Sequence, residues 1–281
     1  MKFIMNMSNE VKGMIILMKE IKDYFSRIFK ARYFLLHLVK WDIKYKFRRS
    51  FLGIIWTIVQ PLMLTVIIAL VFGFVFHQPM KTYAPYILSG LLVWDVINGA
   101  VITNSYSFMQ GESYIRQYAH PIALYPLRAA MVGITTFVIA CLALFIWILV
   151  IYPENLLVAI TALPLAAFLY FILAWSISII SSHIHIRYRD YPYVMALIMQ
   201  ALWYFSPVFF QESMFTSNEV LHRLFLLNPI THALFLIRKP FLEGCFANVM
   251  SYIYVICVAI IFFVIAWYVN KKCEKRVIYY L

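Results

Sequence analysis

Charge is scarce in this chain, and acidic charge most of all: 12 Asp and Glu stand against 24 Lys and Arg in 281 residues, and the four charged types together make up 13%. With 64% apolar residues there is too little polar surface to cover a water-soluble globule of this size, so the chain belongs in a membrane. It has no G-x-x-x-x-G-K-[ST] loop, so it does not cradle nucleotide phosphates in that way and does not hydrolyse ATP by itself. Cys141, Cys245, Cys257 and Cys273 lack metal-ligand spacing and read as small buried apolar residues. His183 and His185 stand at i, i+2, which points them apart on a helix; interfacial snorkelling is the expectation, not a shared metal. No internal repeat is detected, which counts against an inverted-repeat transporter. The amino-terminal region lacks the clean apolar core of a cleavable signal peptide.

What the chain does have is long uncharged runs. Hydrocarbon cannot satisfy backbone N–H and C=O groups, and a helical crossing takes roughly 20 apolar residues. Five charge-free candidates lie at 53–76, 129–152, 157–182, 193–211 and 249–269, and a sixth at 85–108 carries one charge, Asp95. Residues 212–246 are apolar but broken by His222, Arg223, Asn228-Pro229 and Arg238-Lys239-Pro240. Each unbroken piece is about half a span, so two short re-entrant helices are expected there. The fold class is all-α and polytopic, with six transmembrane helices over residues 53–281 behind an amphipathic interface segment, residues 1–52.

Six spans put both termini on one side. Twenty of the 24 Lys and Arg, including those of residues 1–52, Arg116, Arg128, Arg187, Arg189 and the tail, face that side, which makes it cytoplasmic. The other side holds Lys81, Arg223, Arg238 and Lys239. The net charge of +12 is therefore mostly topology and calls for no nucleic-acid partner. Before the first span, Ile16, Met18, Ile21, Tyr24, Phe25, Ile28 and Phe29 alternate with Lys and Arg at helical spacing. Such a segment is too charged to span and amphipathic enough to lie in the headgroup layer. Arg48 and Arg49 close this basic segment.

Polar residues inside the spans carry the remaining signal. Gln200, Tyr204, Pro207 and Gln211 recur at helical spacing, with Trp203 alongside, and form a polar-aromatic stripe. Asp95 and Asn98 lie one turn apart beside Trp94. Groups of this kind at such depth usually face a bundle interior or a wet cavity; the alternative for Asp95 is a structural hydrogen bond to a neighbouring helix. Phe72, Phe74, Phe76, Trp203, Tyr204, Phe209 and Phe210 read either as interfacial belts or as flat faces for sugar rings.

Three stretches carry a resemblance. "FRRSFLGIIWTIVQPLM" resembles the approach to the first span in ABC-2 type permeases that export polysaccharides: a basic cluster, Leu-Gly, Trp56, and the polar Gln60 before Pro61. "RYRDYPYVMALIMQALWYFSPVFF" is similar to the family's approach to the fifth span, with Arg189-Asp190 and Ser206-Pro207. "LNPITHALFLIRKPFLEG" resembles its outer segment through Asn228, Pro229 and Gly244. The resemblance covers nearly the whole chain. It implies a homodimer in a bacterial cytoplasmic membrane, driven by two copies of a separate ATP-binding cassette subunit. ATP and magnesium would reside in that partner, with no cofactor in this chain. The implied cargo is a lipid-linked glycan (O-antigen, teichoic acid or capsule), and with it Arg48 and Arg49 become candidates to meet the phosphates of its lipid carrier at the inner entry. Trp56, Gln60, Asp95, Asn98, Gln200, Trp203, Tyr204 and Gln211 are then candidates for its pathway. The family tolerates various polar residues at Asp95, so no role transfers to it. A permease for a small hydrophobic compound remains an alternative. So does a membrane-embedded glycosyltransferase, although the loop carboxylates Glu112, Glu154, Asp190, Glu212, Glu219 and Glu243 are scattered and unpaired.

The loop "QGESYIRQYAHPIALYPLR" has room between Gly111 and Pro121 for about two and a half helical turns. Glu112 suits its positive end, and Pro121 stops it. Tyr114, Ile115 and Tyr118 offer an apolar anchor. The resemblance implies that residues 112–120 are a coupling helix seated on the ATP-binding subunit.

Overall fold

The computed structural model describes residues 19, 21–118, 120–210, 223 and 225–281. Gln211 and most of the first expected re-entrant helix, like Ile16 and Met18, lie outside the described residues. Among those described there is helix and no strand. The interface segment is α1, residues 21–30, a break at Ala31, and α2, Arg32–Lys46. Tyr24, Ile28, Ala31, Leu35 and Leu38 recur every three or four residues and are buried, while Phe29, Tyr33, Trp41 and Tyr45 on the other face are exposed. A turn through Arg48 and Arg49 leads into α3, Trp56–Val75.

A long path follows: α4, Met80–Val101; a 3-10 turn, Thr103–Tyr106; and α5, Ser107–Gln110. The short α6, Glu112–Gln117, precedes α7, Leu124–Ile151, and α8, Leu156–Arg187. Then come α9, Tyr191–Phe205; α10, Pro229–Arg238; α11, Val249–Cys273; and α12, Val277–Tyr280. Helix α8 is central, packing on α4, α7, α10 and α11, and α4 fills the space between α3 and α7.

Among the described residues, five stretches are long and apolar enough to cross a membrane: Gly53–Val75, Met80–Gln110, Leu124–Ile151, Pro153–Arg187 and Val249–Tyr280. They cover five of the six expected spans to within a residue. The sixth, 193–211, differs. Its helix α9 has 15 residues and ends at Phe205, because Pro207 disfavours helical geometry at Ser206, which turns extended (φ −100°, ψ 147°). Non-helical backbone at this depth needs partners, and the protein supplies them. The carbonyls of Pro207 and Val208 accept from Arg238, at 2.7 and 2.5 Å. Tyr83 donates to the carbonyl of Phe209 at 2.9 Å and Tyr86 to that of Phe210 at 2.6 Å.

Of the expected re-entrant pair, the described part is α10, capped by the Asn228 side chain, and a π-turn, Lys239–Glu243. The chain reverses at Gly244 (φ 67°), where a Cβ would collide with the Asn155 side chain that holds the carbonyl of Phe241 at 3.2 Å. Two local expectations are corrected. His183 and His185 do not snorkel: both are buried, His183 against the carbonyl of Ile179 and His185 against Ser105, each at 2.9 Å. Of the cysteines only Cys141 is fully buried; Cys245 and Cys257 are exposed because they fall on outward faces.

Candidate functional site

A cavity of about 740 Å³, with polar groups set in a partly apolar wall, opens among α2, α3, α4 and α7. It is built from a proline and from polar side chains that apolar helices turn inward. Pro61, in α3, has no N–H to give the carbonyl of Thr57 one turn back, and Thr57, Gln60 and Pro61 all line the cavity. Opposite them, α4 presents Asp95 and Asn98, one turn apart on the same face. Asp95 is exposed within this space and makes no hydrogen bond or ion pair to another described residue.

The mouth carries Asp42, Tyr45 and Lys46 from α2, and Arg128 from α7. Arg128 holds Asp42 through two hydrogen bonds, one to each carboxylate oxygen, so the interface helix is locked to the bundle by a paired charge. Asn104, in the 3-10 turn Thr103–Tyr106, also lines the cavity; its amide donates to Ser178 at 2.9 Å and its carbonyl accepts from Ser182 at 3.0 Å, which joins that turn to α8. The cavity thus sets carboxylate, amide and hydroxyl groups among apolar wall residues such as Leu92, Val132 and Phe137, with two cations at its opening. Such a surface exchanges hydrogen bonds with a hydroxyl-rich solute.

The candidate pathway residues divide. Gln60, Asp95 and Asn98 meet in this cavity, although they come from two helices. Trp56 is exposed at the start of α3 and does not line it. Gln200 and Tyr204 lie exposed on α9, away from the cavity. Trp203 packs against Tyr204 (5.2 Å between ring centres) and Phe209 (5.3 Å). Phe209 in turn meets Phe72 at 5.2 Å, and Phe210 meets Phe76 at 5.9 Å, so one aromatic cluster joins α3 to the end of α9. Arg48 and Arg49 are exposed in the turn after α2, Arg49 with φ 63°; the basic run enters the cavity one turn earlier, through Lys46.

The expected coupling helix is shorter than 112–120. Helix α6 closes at Gln117, where Tyr118 turns extended, and Arg116 pairs with Glu112 at 2.9 Å. Ile115 is not an outward anchor: it is buried with Phe108, Ile122, Tyr125, Ile186 and Val277. Tyr114 is partly buried edge-on to Phe34 at 5.6 Å, and Tyr118 is exposed.

Sequence reasoning missed Asp42, Lys46, Arg128 and Asn104. Lys46 and Arg128 had been absorbed by the topology count, which took only Lys and Arg, while Asp42 and Asn104 lie outside both that count and the resemblance motifs. The missed signal was position, since Asp42 and Lys46 stand one turn apart on a single helix.

The sequence model of the family described as ABC-2 type transporter matches residues 33–242. Among curated proteins, two from Klebsiella pneumoniae named O-antigen export system permease protein RfbA are each 22% identical. One aligns over 203 residues, 72% of this chain and 78% of that protein; the other over 214 residues, 76% and 80%. A protein of the same name from Myxococcus xanthus is 23% identical over 228 residues, 77% of this chain and 80% of its own.

Proposed function

Because the chain belongs to the ABC-2 type transporter family, whose model spans most of its length, we propose that it is the permease subunit of an exporter that carries a lipid-linked polysaccharide across the bacterial cytoplasmic membrane. The observation that carries this reading is a cavity of mixed wall inside an otherwise apolar bundle, with the polar groups of Gln60, Asp95 and Asn98 in its lining. Ionisable and amide groups are costly at that depth, and they are retained where a polar solute passes. The relatives named for O-antigen export support a glycan of that kind as cargo.

In this reading the basic end, with Lys46, Arg48, Arg49 and both termini, faces the cytoplasm, as the charge asymmetry favours. Arg48 and Arg49 sit at the level of the inner headgroups, where each contributes about 1 kcal/mol of attraction to anionic phosphate. Helix α9 and the turn 206–210 together make the sixth crossing: the segment begins beside Arg189 and ends on Tyr83 and Tyr86 at the far end of α4. The chain itself catalyses nothing. Two such subunits pair, and each receives its driving force from an ATP-binding cassette subunit that holds ATP and magnesium. Contact is made at α6, where Tyr114 and Tyr118 remain available and Glu112 marks the positive helix end.

The experiment is deletion of the chain in its producing cells, with purification of the tagged parent in parallel. The expected result is a bare cell surface, lipid-linked glycan retained inside, and an ATPase recovered with the tagged chain. Surface polymer at the parental level after deletion refutes the reading.

A further inference from the structure

Tyr24 sits at the crossing of three distant segments. Its hydroxyl donates to Glu274 Oε1 at 3.1 Å, and accepts from the Asn270 amide at 2.9 Å and from the backbone N–H of Ala123 at 3.3 Å. The same Glu274 oxygen accepts the N–H of Ile122 at 3.1 Å. One phenol and one carboxylate therefore tie α1, the carboxyl-terminal end of α11 and the connection that leaves α6. Tyr24 is buried, with its ring edge-on to Trp267 at 5.4 Å. Burial, and then the nearby Glu274 carboxylate, push its hydroxyl well above the ordinary tyrosine range, so it stays protonated and keeps donating.

The surrounding packing extends the tie. Val277, just past Glu274, is buried against Ile115 of α6 and against Ile122, and Leu281 packs on the same group. On the other flank Phe34 of α2 lies against Tyr114 and stacks on His120 at 4.9 Å. Helix α6 is only six residues long, too short to hold its shape alone. Its position is set by what grips it: the interface helices on one side and the carboxyl-terminal tail on the other.

We propose that Tyr24 and Glu274 are positioning residues for energy coupling: they make α1, α6 and the end of α11 move as one body, so that a push received at α6 is delivered to the bundle. This rests on the reading of the chain as a permease driven through α6. Without the tie, only the apolar packing of Val277 with Ile115 and the ring contact of Phe34 on Tyr114 hold α6 to the tail and the interface helices; such contacts can slide, and a push on α6 goes mainly to α7 through Ile122 and Ala123. The loss then appears as ATP hydrolysed without export, not as loss of the subunit contact, because neither side chain lies on the outward face of α6.

The test uses the full chain, in the producing cells and purified with its accompanying ATPase, as Tyr24→Phe and Glu274→Met. The first removes only the hydroxyl; the second keeps the side chain's length and removes the acceptor oxygen that Tyr24 and Ile122 share. Four quantities are read: chain level, ATPase recovered, ATP hydrolysed and surface polysaccharide. The expected result is parental level and recovery, hydrolysis retained, and export per ATP reduced roughly fivefold or more in each variant. Export per ATP at the parental value in both overturns the proposal. So does a fall of export, hydrolysis and recovery in equal proportion, which would mark the tie as ordinary packing. An ATPase absent from the parent chain as well overturns the transport reading beneath it, which is a different result from either.

Discussion

The guanidinium of Arg238 lies 3.6 Å from the ring centre of Tyr86 while donating to that tyrosine's hydroxyl at 2.8 Å. Arg238 is buried, and its partners among the described residues are the face and hydroxyl of Tyr86 and backbone carbonyls, with no carboxylate. A buried cation is normally expensive. Here the planar fork of arginine answers a specific need, since the break at Ser206-Pro207 frees carbonyls that no helix can satisfy.

That relationship makes Arg238→Lys far from conservative. A single ammonium cannot reach the acceptors on Tyr86, Pro207 and Val208 together, and at least one buried carbonyl loses its donor. The expected cost is about 3 kcal/mol. Thermal unfolding of the purified variant in lipid nanodiscs should show a midpoint several degrees lower. A midpoint equal to the parent's would mean that these carbonyls have other donors.

Gly90 faces the same junction. A Cβ there would press on the Val208 carbonyl and lie 2.7 Å from Arg238 Nη2, closer than packed atoms allow. Gly90→Ala has to move the 206–210 turn away from α4, at about 1–3 kcal/mol, the usual cost of overpacking. The expectation is lower stability with no change in membrane insertion, read from the same unfolding curve and from the membrane fraction. Unchanged stability would place the turn farther from α4.

Much of the fold was legible because hydrocarbon demands long apolar runs, and five of these stand plainly in the sequence. The end of α9 was misjudged since Ser206-Pro207 was read through; the apolar run continues past the point where local geometry stops the helix. In the cavity, Gln60, Asp95 and Asn98 were visible as polar residues in apolar surroundings. That they meet, while Gln200 and Tyr204 turn away, depends on helix rotation, which the period fixes within one helix but not between helices. Asp42 and Arg128 form their pair across 86 residues, and two charges at that separation carry no local mark of each other.

If Asp95 receives sugar hydroxyls, removing its charge should matter more than removing its volume. Asp95→Asn keeps the shape and replaces a charged acceptor with a neutral one, a loss of about 1.4 kcal/mol or a factor of ten in affinity. Surface polysaccharide should fall by up to that factor, and further when Asn98→Ala is added, with the chain level and the recovered ATPase unchanged. Export at the parental level in the double variant would remove the cavity from the pathway.

The two faces of α6 should separate in the same kind of assay. Ile115 is buried in the chain's own core beside Val277, so Ile115→Ala opens a cavity and costs about 2–4 kcal/mol of stability. Tyr118 is 53% exposed just beyond the helix and touches Phe34 and His120 only from one side. Tyr118→Ala should therefore leave the unfolding midpoint within a degree or two of the parent, since exposed substitutions rarely shift stability by more than about 0.5 kcal/mol. An exposed aromatic on a docking face is worth roughly 1–3 kcal/mol to a partner, enough to reduce the recovered ATPase about tenfold in a wash at fixed dilution. The expected pattern is thus stability lost at Ile115 and partner lost at Tyr118. If Tyr118→Ala retains its ATPase in full, the partner does not seat on this end of α6, and Tyr114 with the Glu112 end of the helix becomes the contact to examine by the same assay.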